Sequence, residues 1–326
     1  MTPRKVFVLC LFLLFSLVSF SQSKSRHFVF DYSFTVRNTD PGKPLTVWFP
    51  VPQSDDFQKI TIISKSGDLP LEEARESEYG NRMFYAHTDK ADKAEYHFSV
   101  KYDDVRYEHL AAVAARSQAP QKELKRFLQP DKLVPITGRP ADIASQRVKP
   151  GMSEVEIGRA FYDYTFANMR YDKTGTGWGH GDTLWACDSK RGNCTDFHSL
   201  FISMARSQHI PSRFEIGFSL PEGQNSGEIA GYHCWAEFYT HQRGWFPVDI
   251  SEAWKHQEKK EYFFGAHDVN RIQFTIGRDL ELSPKQHDER LNYFVYPYVE
   301  IDGKAYPNIA NAFSFSDVHE NKQAMR

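Results

Sequence analysis

The stretch RGNCTDFHSLFISMARSQHIP, residues 191–211, places a cysteine at the start of an amphipathic helix. Asn193 is a favourable N-cap residue, and Asp196 puts a negative charge in the first turn, where the helix dipole favours it. Four apolar residues recur at helical spacing and predict a buried face on a helix that runs to about Ser207: Phe197, Leu200, Phe201 and Met204. Cys194 is therefore expected in the first turn of a mostly buried helix.

Cys194 has three interpretations at this position: a nucleophile, a zinc ligand, or a small buried residue. Unpaired backbone N–H groups and the positive end of the helix dipole stabilise a thiolate there. The same N–H groups can receive an oxyanion in a transition state. A free cysteine is also often buried in a core for no chemical reason, so a partner base elsewhere in the chain has to decide.

Two downstream stretches could supply that base. YHCWAEFY, residues 232–239, alternates as a strand that puts His233 on one face and Cys234 on the other, where Cys234 is expected to belong to the core. GWFPVD, residues 244–249, follows after a short connection, so the two stretches predict a hairpin.

The expected pairing of this hairpin brings a histidine and an aspartate together. A register with Tyr239 opposite Arg243 sets His233 directly across from Asp249. A carboxylate beside an imidazole fixes its tautomer and raises its basicity, and the other ring nitrogen can then face a thiol. His198 is a rival base, but a residue on the same helix as the cysteine cannot easily present a ring nitrogen to a thiol at the helix start.

Three segments, in this order, resemble motifs of the transglutaminase-like superfamily, which has the papain-like Cys-His-Asp fold: RGNCTDFHSLFISMARSQHIPSRFEIGF, GYHCWAEFY and GWFPVDISEAW. In that family the Cys opens a helix that ends in an "aR..gIPaR" segment, the His precedes a "W.E.y" strand and the Asp ends a "gW.pvD" strand. The resemblance covers roughly residues 150–255. It implies that Cys194, His233 and Asp249 are the catalytic residues.

The resemblance also implies how an oxyanion would be bound. The Cys194 backbone N–H is the first donor, and the family often adds a side-chain donor, frequently a Trp indole. Trp178 and Trp185 could supply it here. Both lie in residues 171–193, a glycine-rich loop that lacks a phosphate-binding fingerprint and is expected to shape a cleft.

The first residues predict export. MTPRK is basic, VFVLCLFLLFSLVSF (6–20) is uncharged and SQSKS turns polar, which is the pattern of a signal peptide over residues 1–22. The apolar run has 15 residues, short of the roughly 20 that span a bilayer, so a retained membrane anchor is the less favoured alternative. We expect a secreted or periplasmic protein with no membrane association after removal of the signal.

The remaining chain divides into two predicted regions. Residues 23–110, with alternating stretches such as HFVFDYSFTVR, predict an all-β, sandwich-like module, which resembles the domain that often precedes this core in bacterial exported members. Residues 111–326 form the predicted transglutaminase-like catalytic domain, with helices at 121–128 and after the capping box of Ser153 and Glu156. Further strands are expected at 45–52, 59–64, 95–102, 213–218, 271–277 and 291–301. The predicted class is α+β, with the helix of the catalytic Cys packed on an antiparallel sheet.

Charge and cysteine content narrow the possible functions. Lys and Arg total 40 against 42 Asp and Glu, and no basic run stands out, so nucleic acid is not an expected partner. Without Cys10 of the signal, three cysteines remain, too few for a disulfide framework: Cys187, Cys194 and Cys234. Cys187 could form a disulfide with Cys234, or lie near Cys194 and regulate it by oxidation.

The favoured function is a thiol enzyme that attacks a peptide or Gln side-chain amide through a Cys194 thioester, with no metal or cofactor. Its partner is then a peptide or protein, and hydrolysis is preferred to amine transfer because exported bacterial members of the family are often suspected hydrolases. A zinc protein using the three cysteines and His233 is disfavoured because no CxxC pair occurs. A binding protein that has kept the core and lost the chemistry is the third alternative.

Overall fold

The computed structural model describes residues 24–111 and 119–319. The predicted signal peptide, residues 1–22, lies outside the described residues. Within the part of the chain that is described, no helix is long and apolar enough to cross a bilayer.

Strands dominate the described chain and are numbered here in chain order. They are β1 (Ser25–Arg37), β2 (Leu45–Val51), β3 (Gln58–Gly67), β4 (Glu72–Arg75), β5 (Arg82–Thr88), β6 (Glu95–Tyr107), β7 (His109–Leu110), β8 (Arg170–Tyr171), β9 (Arg191–Gly192), β10 (Ser212–Ser219), β11 (Ser226–Glu228), β12 (Tyr232–Thr240), β13 (Gly244–Val248), β14 (Ala266–His267), β15 (Arg271–Ile276), β16 (Tyr298–Ile301), β17 (Lys304–Ala305) and β18 (Ile309–Asp317). The helices are α1 (Gln121–Arg126), α2 (Arg139–Ser145), α3 (Glu154–Asn168), α4 (Thr183–Ser189), α5 (Cys194–Ser207) and α6 (Ile250–Lys255), with a short 3-10 helix at Gln257–Lys259.

The β module is a sandwich of two five-stranded antiparallel sheets, in the orders β11-β18-β1-β6-β3 and β17-β16-β2-β5-β4. Strand β1 buries every second residue, as its alternating sequence predicts. Phe34 of the first sheet meets Phe49 of the second, with 5.1 Å between ring centroids. Aromatic side chains therefore fill the space between the two sheets.

The second region packs helices on a four-stranded antiparallel sheet of order β13-β12-β10-β15. Helix α5 lies against β10 and β12 and is buried at every position from Cys194 to Arg206. Helix α3 begins at the predicted capping box, where Ser153 Oγ accepts the Glu156 N–H and the Glu156 carboxylate accepts the Ser153 N–H. The predicted α+β class is confirmed, with the Cys194 helix packed on an antiparallel sheet.

Both sandwich sheets contain strands from the end of the chain. Strand β18 pairs with β1, and β16 pairs with β2. Sequence analysis missed β18 because IANAFSFSD buries only Phe313 and Phe315 and otherwise reads as polar or small. The sheets therefore cross the predicted domain boundary at residue 110, and the β module is built from both ends of the chain.

The strand predicted at 291–301 is wrong in its first part, because only Tyr298–Ile301 forms a strand. Leu291 makes a single bridge to Leu280, after which the chain turns away from any ladder. Pro297 immediately precedes the strand, and a proline cannot donate a ladder hydrogen bond. The aromatic residues before it serve the active-site region instead, as described below.

The β12–β13 hairpin differs from the predicted register by two residues. Tyr239 pairs with Trp245, because residues 241–243 are all used by the turn. A shift by an even number keeps every side chain on its face of the sheet. His233 and Asp249 therefore still share a face, although Asp249 lies just beyond the end of β13 rather than directly opposite His233.

We expect Phe313→Ala to lower the free energy of unfolding by about 3–5 kcal/mol. Its ring lies 4.7 Å from that of Tyr32 and 4.7 Å from that of Phe218, so truncation leaves a cavity where the sandwich meets the catalytic sheet. Ser316→Ala, at an exposed position of the same strand, is the control and should change it by less than about 0.5 kcal/mol. Urea unfolding measures both; equal effects would mean that β18 is not an integral strand.

Candidate active site

Helix α5 begins at Cys194, as the sequence predicts, and its start is doubly capped. Asn193 Oδ1 accepts the Thr195 N–H at 2.9 Å, and Asp196 Oδ2 accepts the Asn193 N–H at 2.9 Å. Cys194 is the first residue inside the helix, so its own N–H has no intrahelical acceptor. The thiol therefore lies beside the positive end of a buried helix, next to a backbone donor.

Asp196 does more than complement the helix dipole. Its carboxylate also accepts the N–H groups of Gly179 at 2.7 Å and Gly181 at 3.0 Å, and so ties the glycine-rich loop to the start of α5. Gly192 has a φ of +145°, and a Cβ there would lie 2.2 Å from Asp196 Oδ2. Only glycine allows the backbone to pass this close to the carboxylate.

His233 is hydrogen-bonded to the predicted carboxylate. Its Nε2 lies 2.7 Å from Asp249 Oδ2, and both side chains are buried. Because a carboxylate accepts, Nε2 carries a proton, and the opposite nitrogen, Nδ1, is left for the Cys194 thiol, which lies close enough to His233 for each group to shift the pKa of the other. The structure thus brings Cys194, His233 and Asp249 together, while their catalytic roles stay a prediction.

The electrostatics of this group favour a thiolate–imidazolium pair. Burial opposes ionisation of Cys194, but the adjacent Cys234 and His233 side chains and the charge of His233 hold the pKa of the thiol well below its ordinary value. Burial also lowers the pKa of His233, but the adjacent Asp249 carboxylate and the Cys194 hydrogen bond outweigh it and raise that pKa to about 10. Both groups are therefore charged near neutral pH.

Arg271 is a functional neighbour that sequence analysis did not single out. Its guanidinium donates to Asp249 Oδ2 at 3.1 Å and to Asp268 Oδ1 at 3.2 Å, and it lies over the Trp235 ring at 4.7 Å. Burial alone would raise the pKa of the Asp249 carboxyl. The charges of His233 and Arg271 outweigh this effect and hold that pKa well below its ordinary value. An arginine in a strand-like segment gave no sequence signal for this role.

The other oxygen of the Asp249 carboxylate caps helix α6. Asp249 Oδ1 accepts the Glu252 N–H at 3.1 Å and the Ser251 hydroxyl at 3.2 Å. The carboxylate is therefore held from both sides, since Oδ2 faces His233 and Oδ1 faces the helix. This arrangement fixes the orientation of the imidazole ring through Asp249.

His198, the rival base, has both ring nitrogens occupied. The Ile250 N–H donates to His198 Nε2 at 3.1 Å, so Nε2 carries no hydrogen, and Nδ1 is left to donate to the Cys194 backbone carbonyl. Burial lowers the pKa of His198 to about 4. A neutral ring held in this way links α5 to the start of α6 and has no free nitrogen for a substrate proton.

The three cysteines of the described chain are all free and buried. Cys234 lies on the sheet face opposite His233, as predicted, but that face carries α5, and its thiol lies beside Cys194. Its S–H donates to Thr195 Oγ1 at 3.6 Å. Burial and the nearby Cys194 raise the pKa of Cys234, so it stays a thiol. Cys234, rather than Cys187, is the cysteine beside Cys194.

The two proposed oxyanion tryptophans occupy the glycine-rich loop and helix α4. The Trp178 indole N–H donates to the Gly175 carbonyl at 3.1 Å, so it would have to break this bond to reach an oxyanion. Trp185 packs on Gly177, where a Cβ would lie 2.4 Å from its indole nitrogen. Their assignment as oxyanion donors stays a prediction, and the Cys194 N–H is the donor that the helix geometry favours.

Tyrosines surround the nucleophile on the side of the glycine-rich loop. For each, burial is the main cause of a raised pKa and the negative charge of Cys194 adds to it: Tyr171, Tyr232, Tyr293 and Tyr296. The Tyr232 hydroxyl accepts from Asn193 Nδ2 at 2.9 Å, and the Tyr293 hydroxyl donates to the Gly179 carbonyl at 3.3 Å. The glycine-rich loop, which is predicted to shape a cleft, is thus packed beside Cys194 and against these tyrosine side chains.

Comparison with known proteins agrees with this geometry. Residues 141–250 match the family model described as "Transglutaminase-like superfamily". Residues 141–250 therefore form a transglutaminase-like core domain.

Two relatives extend over most of the chain. An uncharacterized protein of Haemophilus influenzae is 24% identical over 312 residues, which is 83% of this chain and 84% of that protein. A structure from Cytophaga hutchinsonii, described as a "Putative Cysteine Protease", aligns with a TM-score of 0.58 at 15% identity and covers 92% of both chains. The second similarity shows a shared fold across the sandwich and the core. The periplasmic domain of TgpA from Pseudomonas aeruginosa aligns with a TM-score of 0.38 at 13% identity, covering 75% of this chain and 93% of that one.

We expect Cys194 to react with iodoacetamide at a rate that stays high below pH 7. Its pKa is depressed, so the thiolate persists as the pH falls and is lost only below that depressed value. His233→Ala removes the stabilising charge, so the reaction should slow strongly below pH 7. The rate is measured by mass spectrometry as labelling of Cys194, with Cys194→Ala reporting any reaction at Cys187 or Cys234. A single titration near pH 8.5, equal in native protein and His233→Ala, would contradict the ion pair.

Proposed function

We propose that the protein is a thiol enzyme that cleaves or transfers amide bonds of peptides or proteins through a Cys194 thioester, with hydrolysis as the favoured outcome. One observation carries the proposal. The Cys194 thiol, at a helix N-terminus, lies beside the imidazole of His233, whose Nε2 lies 2.7 Å from the buried Asp249 carboxylate. This is a nucleophile, a base and a group that orients the base, in that order.

In the acylation step, the Cys194 thiolate attacks the carbonyl carbon of the scissile amide. The carbonyl oxygen becomes an oxyanion, to which the Cys194 N–H at the helix start can donate a hydrogen bond. His233 then gives its Nδ1 proton to the nitrogen of the leaving amine, and the C–N bond breaks. The products of this step are the free amine and a thioester on Cys194, with His233 neutral.

The thioester is resolved by a second nucleophile. Neutral His233 takes a proton through Nδ1 from an attacking water, and the tetrahedral intermediate expels the Cys194 thiolate. The released product is then a carboxylic acid, and the thiolate–imidazolium pair is restored. If a primary amine attacks in place of water, the same steps form a new amide, which is the transglutaminase reaction.

Hydrolysis is the favoured outcome because exported bacterial members of the superfamily are often suspected hydrolases, and the N-terminal residues of this chain predict export. We therefore also propose a secreted or periplasmic location. A non-catalytic binding role fits less well, because burying a charged Cys-His-Asp group without using it would only cost stability. A zinc site at the thiols fits less well too, since the sequence has no CxxC pair of the kind that structural zinc usually uses.

We expect Cys194→Ala to lower peptide turnover by about 10³-fold or more without loss of the fold, because no other described thiol is activated by an imidazolium. Asp249→Asn should lower turnover too, since the amide no longer stabilises the imidazolium. The assay is mass spectrometry on a pool of denatured proteins and peptides, with circular dichroism to confirm folding. Cys187→Ala, in helix α4, is the control and should stay active. Turnover retained by Cys194→Ala would exclude this mechanism.

Whether water or an amine resolves the Cys194 thioester can be measured directly. We expect incubation of the enzyme and its substrate with a fluorescent primary amine to yield mainly the acid product, whose mass differs from that of the amine adduct. Cys194→Ala should give neither product. A predominance of the amine adduct at millimolar amine would assign the protein to amine transfer while leaving the thioester mechanism intact.

A further inference from the structure

A second cluster of titratable side chains lies buried behind the hairpin that carries His233. Glu237 is four residues further along β12, and it meets two histidines from distant parts of the chain, His109 of β7 and His267 of β14. Strands β7 and β14 pair with His267 opposite His109. All three residues are buried, and the proposed catalytic chemistry uses none of them.

The three side chains point their ligand atoms at one another. His109 Nδ1 lies 2.9 Å from Glu237 Oε1, and His267 Nδ1 lies 3.8 Å from the same oxygen. All three atoms lie within 4.8 Å of one another. A tetrahedral ion with bonds of about 2.0–2.2 Å separates its ligand atoms by about 3.3–3.6 Å. The observed spacing brackets that range.

One ring nitrogen of His267 is a hydrogen-bond acceptor that faces another acceptor, the Glu237 carboxylate. His267 Nε2 faces the Val248 carbonyl at 3.3 Å, and since a carbonyl can only accept, Nε2 carries the hydrogen. With the hydrogen on Nε2, Nδ1 of the neutral ring carries a lone pair. This Nδ1 is fully buried, has no hydrogen-bond partner among the residues that the structure describes, and lies 3.8 Å from the Glu237 carboxylate. Two lone pairs facing each other in a dry interior repel, unless a cation lies between them.

We propose that His109, Glu237 and His267 bind one divalent transition-metal ion, and that Zn²⁺ fits the site best. Two imidazole nitrogens and one carboxylate oxygen are zinc ligands, whereas Ca²⁺ and Mg²⁺ prefer oxygen throughout. Three protein ligands leave the fourth tetrahedral position to a water molecule.

Hydrogen bonds from surrounding residues orient the side chains of this cluster in the way that metal ligands are commonly oriented. His267 Nε2 faces the Val248 carbonyl, which is the backbone bond that commonly orients a ligating histidine. The second Glu237 oxygen, Oε2, is bound by the Arg213 guanidinium at 2.9 Å and 2.6 Å, which leaves Oε1 to face the two imidazoles.

The site would have a structural role. The ion would join the end of the β module at His109 to the catalytic sheet at Glu237 and to the segment after α6 at His267. The carbonyl that faces His267 Nε2 belongs to Val248, which directly precedes Asp249 in the chain. A metal in this cluster therefore stiffens the strand end that positions the carboxylate, without contact with the substrate.

The test uses Cys194→Ala protein throughout, so that no activated thiol competes for metal. The protein is stripped with a chelator, given one equivalent of ZnCl₂ and gel-filtered, and its zinc content and melting temperature are measured. We expect about one zinc per chain and a rise in melting temperature of about 5 °C or more. His267→Gln keeps an N–H near Val248 but removes the ligating Nδ1, so it should lose both effects.

The matched control is His241→Gln. His241 also hydrogen-bonds to a glutamate, Glu154, at 2.6 Å, but on the surface, and it should retain both the zinc and the stabilisation. Zinc bound equally by His267→Gln, or no zinc bound by the parent protein, overturns the proposal. If His267→Gln does not fold, Co²⁺ replaces Zn²⁺ in the parent: visible d–d bands without a thiolate charge-transfer band support the site, and a thiolate band overturns it.

Discussion

The hydrogen bond of 2.7 Å between His233 and Asp249 is the interaction on which the rest of the site depends. It uses Nε2, which leaves Nδ1 for the thiol, and it keeps a buried imidazole charged when burial alone would neutralise it. That charge, with the adjacent Cys234, holds Cys194 as a thiolate. Asp249 stays ionised in the interior because His233, Arg271 and the start of α6 all donate to it.

The fold brings these groups together from three separate segments. Helix α5 supplies the proposed nucleophile at its buried N-terminus, strand β12 supplies the imidazole, and the junction of β13 with α6 supplies the carboxylate. Asp196 ties the glycine-rich loop to α5 from one side, and Arg278 ties it from the other by donating to the Gly181 carbonyl at 2.9 Å and the Ser199 hydroxyl at 2.6 Å. The nucleophile is thus held within a rigid frame.

Local sequence patterns predicted the structural features that depend on residues close together in the sequence. They missed the features that depend on contacts between distant parts of the chain. Helix α5 and its cap follow from RGNCTDFHSLF, and the shared face of His233 and Asp249 survived a wrong hairpin register because the error was even. Strand β18 and Arg271 were missed, because each acquires its role only through a partner far along the chain. The His109, Glu237 and His267 cluster has the same origin, with no spacing that a motif could express.

The ultraviolet absorbance of the thiolate near 240 nm tests the central claim most directly. It is measured as the difference between native protein and Cys194→Ala from pH 4 to pH 9, so that only Cys194 contributes. A thiolate–imidazolium pair predicts that the difference is already at its plateau at pH 6, and that it is lost at pH 6 in His233→Ala. A difference that is absent at pH 6 and rises in one step near pH 8.5, as for an ordinary thiol, would contradict the account.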